Sequence, residues 1–554
     1  METLERVLSR PVAKPYRSRN VQDEGVYLND EGLLDFNPDY DIENPKCWST
    51  ARRGYITSIA VLLVVNATFA SSAPSGCLHS IGETFNVSRE ASGLVITLFL
   101  LGYCAGPLLW APLSEFYGRR YIFHLTFFGY FVFNFACAFT PTFAGLLVAR
   151  FLTGTFASAA ISNSPGVLAD IWDPVERGNA MALFSVMTFV GPALGPVTAG
   201  FFELKLNWRW IFYELIWVSA VTLVLLFTIP ETYPQQVLMN KAKRIRKAQI
   251  PGYEDVKAPV EVTDRSLVGI FKVALTRPWI ILFDPISFLA AIYLSVVYGL
   301  LYMLFSIYPI VFQEKRGWNA GVGQLPLLGT VMGACIGGAY VFYDTQRMSK
   351  RISDGHVHQP EDRLPMAMVG GIAFPITMLW FAWSGNYNSV HWIVCTIGGA
   401  FLSASILLIF VGYLNYLADT YLMYAASALA ANTVARSAAG AAAPLFTNPM
   451  FEALGVGGGG SLIGGLACLL APIPFLFQKY GQSIREKSRF APMETQKLVN
   501  KPEEKRQSLP SSSGDEGTKP GAVENETPGS REAESSEDRF LTASGVEKAE
   551  PVLR

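Results

Sequence analysis

Twelve apolar runs, each close to 20 residues long, constrain this chain more than any other feature of its sequence. A helix needs about 20 apolar residues to cross the hydrocarbon core of a bilayer. Such runs lie at 54–73, 92–111, 121–140, 145–168, 179–201 and 210–230, then at 287–311, 321–342, 365–383, 391–416, 425–447 and 460–478. They fall as six, a polar stretch, and six more. Gly457–Gly460 is expected to loosen the connection between the last two. Hydrophobic residues make up 51% of the 554 and charged residues only 16%, with a mean hydropathy of +0.28 despite two polar ends. A soluble domain carries about a quarter charged residues, so a soluble single-core enzyme is excluded.

Charge placement sets the expected orientation. Arg52 and Arg53, Arg119 and Arg120, Lys241–Lys247, Arg347–Arg351 and Lys479–Arg489 all fall on one side if the N-terminus is inside. The opposite loops offer Arg89, Lys205, Arg209, Lys315 and Arg316. The positive-inside rule then makes both termini of a multi-pass cell-membrane protein cytoplasmic. No cleavable leader is visible, and the first run acts as the targeting signal. The chain divides into a cytoplasmic N-terminal segment (1–53), a first six-helix half (54–230), a cytoplasmic linker (231–277), a second six-helix half (278–480) and a tail (481–554) of disordered composition. The basic run KAKRIRK, Lys241–Lys247, either lies against anionic headgroups or forms a solvated loop. The net charge of −1 offers no field for nucleic acid. Seven scattered cysteines show no metal-binding spacing, and no phosphate-cradling loop, HExxH or catalytic-triad pattern occurs. Neither a cofactor nor a metal is implied, and the chain is not read as an enzyme.

Chemistry concentrates in a few segments. GPLLWAPLSEFYGRR (Gly106–Arg120) ends a span with an acid, Glu115, a turn glycine, Gly118, and the pair Arg119 and Arg120. ARFLTGTFASAA (Ala149–Ala160) opens on Arg150, and an arginine in a span costs about 2.5–3.5 kcal/mol without a partner. Arg150 either finds that partner or snorkels to the interface. GPALGPVTAGF (Gly191–Phe201) sets two Gly-Pro pairs, Gly191–Pro192 and Gly195–Pro196, four residues apart, with Gly200 beyond. Proline kinks a helix by removing a donor, and glycine lets a neighbouring backbone approach.

These segments resemble the major facilitator superfamily. The first is similar to its loop between the second and third spans, departing by Ala111 for the leading glycine and Glu115 for the usual aspartate. Arg150 resembles the fourth-span arginine that the family associates with proton coupling, and Gly191–Phe201 the fifth-span motif of its drug:proton antiporters. NWRWIFY (Asn207–Tyr213), PETYPQQVLMNKAKRIRK (Pro230–Lys247), the stretch Tyr416–Phe446 and ENPKCWS (Glu43–Ser49) narrow the resemblance to the twelve-span drug:proton antiporters abundant in fungi. It covers about 43–480. The implied fold is an all-α membrane protein of two six-helix halves with internal two-fold organisation. Its sequence echo is faint, resting on Asp344, Arg347 and Lys350.

The resemblance implies export of small drug-like molecules or secondary metabolites in exchange for protons. The alternative is a proton-coupled importer or facilitator of a nutrient such as a polyamine. A non-transporting receptor on the same fold is the reading from another class. Partners are then a small-molecule substrate, protons and the bilayer, and a monomer is expected. Candidate substrate-binding residues are Tyr293, Tyr298 and Tyr302, with Asn432 and Arg436 one turn apart on one helix face. Glu115 and Asp170 read as gate residues with Arg119 and Arg120. Glu214, about one turn inside the sixth span, is the candidate proton carrier, against the alternative of an inert interfacial acid. Asn86 is the sequon expected to carry a glycan; Asn66 lies within a span and Asn525 in the tail.

Overall fold

The computed structural model describes residues 26–490 apart from 30, 38–40, 250–251, 263–265, 357 and 489. Among these residues, eleven helices are long and apolar enough to cross a membrane. The last of them, Ala425–Arg485, holds two spans, because Gly455 interrupts it at φ 68° and ψ 171°. The break is two residues before the glycine run that the sequence singled out. Gly457–Gly460 is helical instead and packs closely on the ninth span, where a Cβ on Gly460 would strike Ala382. The run serves helix contact, and the turn belongs to Gly455.

The first six spans are Thr50–Ser72, Arg89–Tyr117, Arg119–Phe139, Phe143–Ile171, Pro174–Lys205 and Arg209–Leu226. The seventh to tenth are Pro285–Pro309, Leu328–Ser353, Leu364–Asn386 and Trp392–Tyr421, and the eleventh and twelfth flank Gly455. Several helices run past their apolar stretch. The eighth continues from the apolar run to Ser353, and the added turns carry Asp344, Arg347, Lys350 and Arg351 at the basic end of the bundle. Helix starts are fixed locally: Ser88 accepts from the Ala91 amide at 3.2 Å and Thr142 from the Gly145 amide at 3.2 Å.

A two-fold repeat that is faint in sequence is plain in packing. The second span packs on the fourth through Gly102, Gly106 and Gly154; a Cβ on Gly102 would lie 2.5 Å from the Thr155 nitrogen. The eighth span packs on the tenth in the same way, Gly329 against Thr396, Gly333 against Ala400 and Gly337 against Ala404. Adding six to each span number turns the first pair into the second. The halves also meet in symmetry-related pairs, the second span on the eleventh and the fifth on the eighth. Small residues supply close packing where lipid removes the hydrophobic drive between helices.

The linker is more structured than its composition suggests. Pro234–Lys247 is a helix whose Leu238, Ala242 and Ile245 bury against Leu34, Val256 and Ala258. Lys241 pairs with Asp41 at 2.9 Å, both almost fully buried, Arg244 with Glu43 at 2.6 Å and Arg246 with Glu261 at 2.7 Å. Three of the basic run's charges thus pair with acids of the N-terminal segment and the linker itself. The hydrogen bond from Arg246 holds the Glu261 carboxyl below the usual carboxylate range. The tail beyond Phe490, with Asn525, lies outside the described residues.

Candidate transport site

The fifth-span motif builds a seam with the first span. Pro196 lacks the N–H that would bond the carbonyl of Pro192 one turn earlier. Ser72 of the first span supplies the missing donor, its Oγ lying 2.7 Å from that oxygen. Glycine makes the approach possible. A Cβ on Gly195 would fall 2.8 Å from Ser72 Oγ and 2.9 Å from the Ala73 Cα, and one on Gly191 would strike Thr68 Oγ1. Gly76 returns the contact, since its Cβ would lie 2.8 Å from the Pro196 carbonyl. Gly200 faces the other half, where a Cβ would lie 2.5 Å from the Ala320 carbonyl.

The candidate binding residues separate into two groups. The rings of Tyr298 and Tyr302 meet at a tilt of 57° with centroids 5.2 Å apart, and Tyr302 donates to Ser71 of the first half at 2.8 Å. The Arg436 guanidinium lies 5.4 Å from the Tyr298 ring and 4.5 Å from that of Phe410, which meets Phe189 of the fifth span edge-on at 5.6 Å. This aromatic and cationic cluster sits where the two halves meet. Tyr293 instead pairs with Tyr413 at 5.4 Å, within the second half. Asn432 donates to Ser287 Oγ at 3.2 Å and to the Ala428 carbonyl at 3.0 Å, pinning the eleventh span to the seventh. Phe189, Phe410 and Ser71 were not singled out in the sequence. A phenylalanine inside an apolar run carries no local signal of a shared site.

Arg150 is fully buried and does not reach the membrane edge. Its Nε donates to the Val95 carbonyl at 3.0 Å and one terminal nitrogen to the Ala70 carbonyl at 2.9 Å, with the guanidinium 4.2 Å from the Phe99 ring. It therefore ties the fourth span to the second and first through backbone oxygens.

At the basic end, Gly118 adopts φ 96°, which allows the tight turn between the second and third spans. Arg119 reaches Ser114 Oγ at 2.6 Å and Asp170 at 3.4 Å. The structure adds Glu231, of the PETYP segment. Its carboxylate accepts from the backbone amides of Arg119 at 2.9 Å and Arg120 at 3.2 Å, at the N-terminus of the third span. A carboxylate is favoured there by the unpaired amides and the helix dipole. The side chains of Glu115 and Arg120 are exposed beside this cluster. Gln346 donates to Asn179 at 3.1 Å, joining the eighth and fifth spans at the same end.

A cavity of about 550 Å³ lies between the halves at the opposite end, bordered by Glu83, Glu203, Gln313, Gln324 and Asn448. Arg89 and Glu314 bridge the halves there at 2.7 Å. Glu203 accepts from Ser80 at 2.6 Å, and its other oxygen is buried without a partner. It lies two residues beyond the apolar run 179–201. Glu214 is half-buried beside Thr198 of the fifth span, with one carboxylate oxygen buried and unpartnered. Asn86 is exposed at a helix end in the left-handed conformation, φ 53°. Asn66 is buried and donates to Thr222 at 3.0 Å.

Twelve spans, paired halves and the seam between the first and fifth spans define a membrane transporter. The family model of the Major Facilitator Superfamily matches residues 60–444. The chain is 40% identical over 488 residues to a protein of Gibberella moniliformis named efflux pump FUB11, covering 87% of this chain and 81% of that one. It is 39% identical over 454 residues to the major facilitator superfamily multidrug transporter mdrA of Aspergillus fumigatus, covering 81% and 74%. The fold is similar to that of the xylose transporter XylE from E. coli, with TM-score 0.55 at 19% identity, covering 78% of this chain and 98% of that one. The chain belongs to the major facilitator superfamily, and within it to the fungal multidrug-exporter type. It is an efflux transporter and not an enzyme.

Proposed function

We propose that this transporter exports small drug-like molecules or secondary metabolites from the cytoplasm and takes up protons in exchange. It acts as a monomer in the cell membrane, with the basic end of the bundle and both termini on the cytoplasmic side. The observation that carries the reading is the seam at Gly191–Pro196, where a proline-freed carbonyl is bound by Ser72 and glycine brings two backbones into contact. A seam so close resists opening at that end unless the two helices move together, which suits a fixed pair rocking about a central site. Substrate lies at Tyr298, Tyr302 and Arg436, and Arg150 couples its occupancy to the first half. The energetics suffice: one proton contributes about 1.4 kcal/mol per pH unit, and the membrane potential adds about 2.3 kcal/mol per 100 mV.

The test is flux in sealed proteoliposomes of known orientation under an imposed proton gradient. Exchange gives substrate movement opposite to the proton. Movement in the same direction identifies the importer, and movement indifferent to the gradient identifies a facilitator.

A further inference from the structure

Four arginines are buried among the described residues: Arg53, Arg150, Arg436 and Arg485. Three have oxygen acceptors. Arg53 pairs with Glu176 at 2.9 Å, Arg485 with Glu361 at 2.8 Å, and Arg150 donates to two backbone carbonyls. Arg436 has none. It is 7% exposed, makes no hydrogen bond or ion pair among the described residues, and its Nε and one terminal nitrogen are fully buried. Its contacts are the faces of Phe410 and Tyr298.

A guanidinium presents five N–H donors and does not deprotonate in a protein. Burying it without a counter-charge is strongly unfavourable, and ring faces compensate only a fraction of the loss. Inside a membrane such a group marks a ligand pathway, its partner being supplied by whatever travels there. The surroundings fit that reading. Arg436 lies on the eleventh span, and Phe410 beside it touches Phe189 across the boundary between the halves. Tyr302 bridges the same boundary to Ser71. A ligand that fills this position is held by both halves and senses their rocking.

We infer that the substrate is an organic anion, an aromatic or apolar body bearing a carboxylate that takes Arg436 as its counter-ion. The inference rests on the proposed binding site between the halves and names the substrate class for it. The rings of Phe189, Phe410, Tyr298 and Tyr302 face the apolar body, and the bidentate fork of Arg436 fixes the acid end. A polyamine is disfavoured at this position, since it would meet a fixed cation with no carboxylate paired to it.

The experiment titrates the purified full-length protein with 1-naphthoate, its neutral isostere 1-naphthamide and the cation 1-naphthylmethylammonium, following tryptophan fluorescence and calorimetry. Naphthoate is expected to bind at least tenfold more tightly than the amide, and the ammonium more weakly still. Arg436→Gln should abolish the preference while leaving amide binding in place, and Arg436→Lys should retain part of it. The acid-to-amide ratio of the unmodified protein decides the matter even if Arg436→Gln fails to fold. Equal affinity for acid and amide overturns the inference, as does a preference that survives in folded Arg436→Gln. Competition by chloride as effective as by naphthoate also overturns it, since the site would then hold only a small inorganic ion. Naphthoate binding without proton-driven flux leaves the anion site standing and removes the exchange reading. Proton-driven export of neutral compounds without naphthoate binding does the reverse.

Discussion

Replacing Gly195 by alanine is the smallest change that tests the seam between the first and fifth spans. The added methyl would sit 2.9 Å from the Ala73 backbone, whereas ordinary contacts of this kind begin at 3.4 Å. The obstacle is main chain and cannot rotate away, so the helices must separate by about half an ångström. Overpacking of this kind costs about 1–3 kcal/mol. Separation also stretches the 2.7 Å bond from Ser72 to the Pro192 carbonyl. Losing a hydrogen bond from a buried carbonyl adds about 1–3 kcal/mol. The two losses share one cause, so Gly195→Ala and Ser72→Ala should be strongly non-additive. The assay is a double-mutant cycle in proteoliposomes, with proton-driven export and thermal stability measured on each variant. Each single variant is expected to reduce export several-fold while the protein remains inserted, and the double variant to lose little more than the worse single one. Native export and native stability in Gly195→Ala would remove the close contact from the mechanism. Full additivity would mean that Ser72 and Gly195 act separately.

Glu214→Gln is expected to lose proton-driven flux and keep substrate counterflow in proteoliposomes; loss of both, or of neither, removes Glu214 as the proton carrier. Asn86→Gln should abolish a glycosidase-sensitive mobility shift on gels of the secretory-pathway protein, because Asn86 is exposed in a loop opposite the basic end whereas Asn66 is buried; a shift that persists points to another acceptor and challenges the orientation. The linker pair Arg246–Glu261 gives a pH dependence. Because the folded Glu261 carboxyl lies below its ordinary value of 4.5, its contribution is fully present above that value and is lost as pH falls through the depressed one. Corrected for the intrinsic pH dependence of amide exchange, protection at 238–245 should therefore be steady from pH 7 to about 5 and fall in more acid buffer, with Glu261→Gln showing less of the fall; protection that rises on acidification would contradict the assignment.

The fold was legible because span length is set by the bilayer and leaves a mark in every stretch it governs. The turn at Gly118 was legible for a local reason too, since positive φ constrains residue type. What escaped were matters of partnership. Gly455 and the run Gly457–Gly460 are alike in sequence, yet one breaks a helix and the others press it against Ala382. KAKRIRK reads as free charge until Asp41, 200 residues earlier, is seen against Lys241. The repeat of the two halves was nearly invisible because it resides in glycine-to-backbone contacts, which fix small size at a few positions and little else.

Arg150 and Arg436 show most directly where a sequence argument stops. Each is an arginine in an apolar run among small residues, and each carries the same insertion penalty. In the structure Arg150 meets the carbonyls of Val95 and Ala70, so its charge is partly answered by the fold itself. Arg436 meets only rings. Had both been satisfied by the chain, neither would need a ligand; had neither been, the bundle would carry two uncompensated charges in its interior. The asymmetry assigns different work to the two halves. The first half contributes an arginine already tied to two neighbouring helices, placed to transmit displacement on the proposed mechanism, and the second contributes one that the described residues leave without an oxygen acceptor. On the proposal above, loading the site with an anion would relieve the cost of burying Arg436 as the halves close around it.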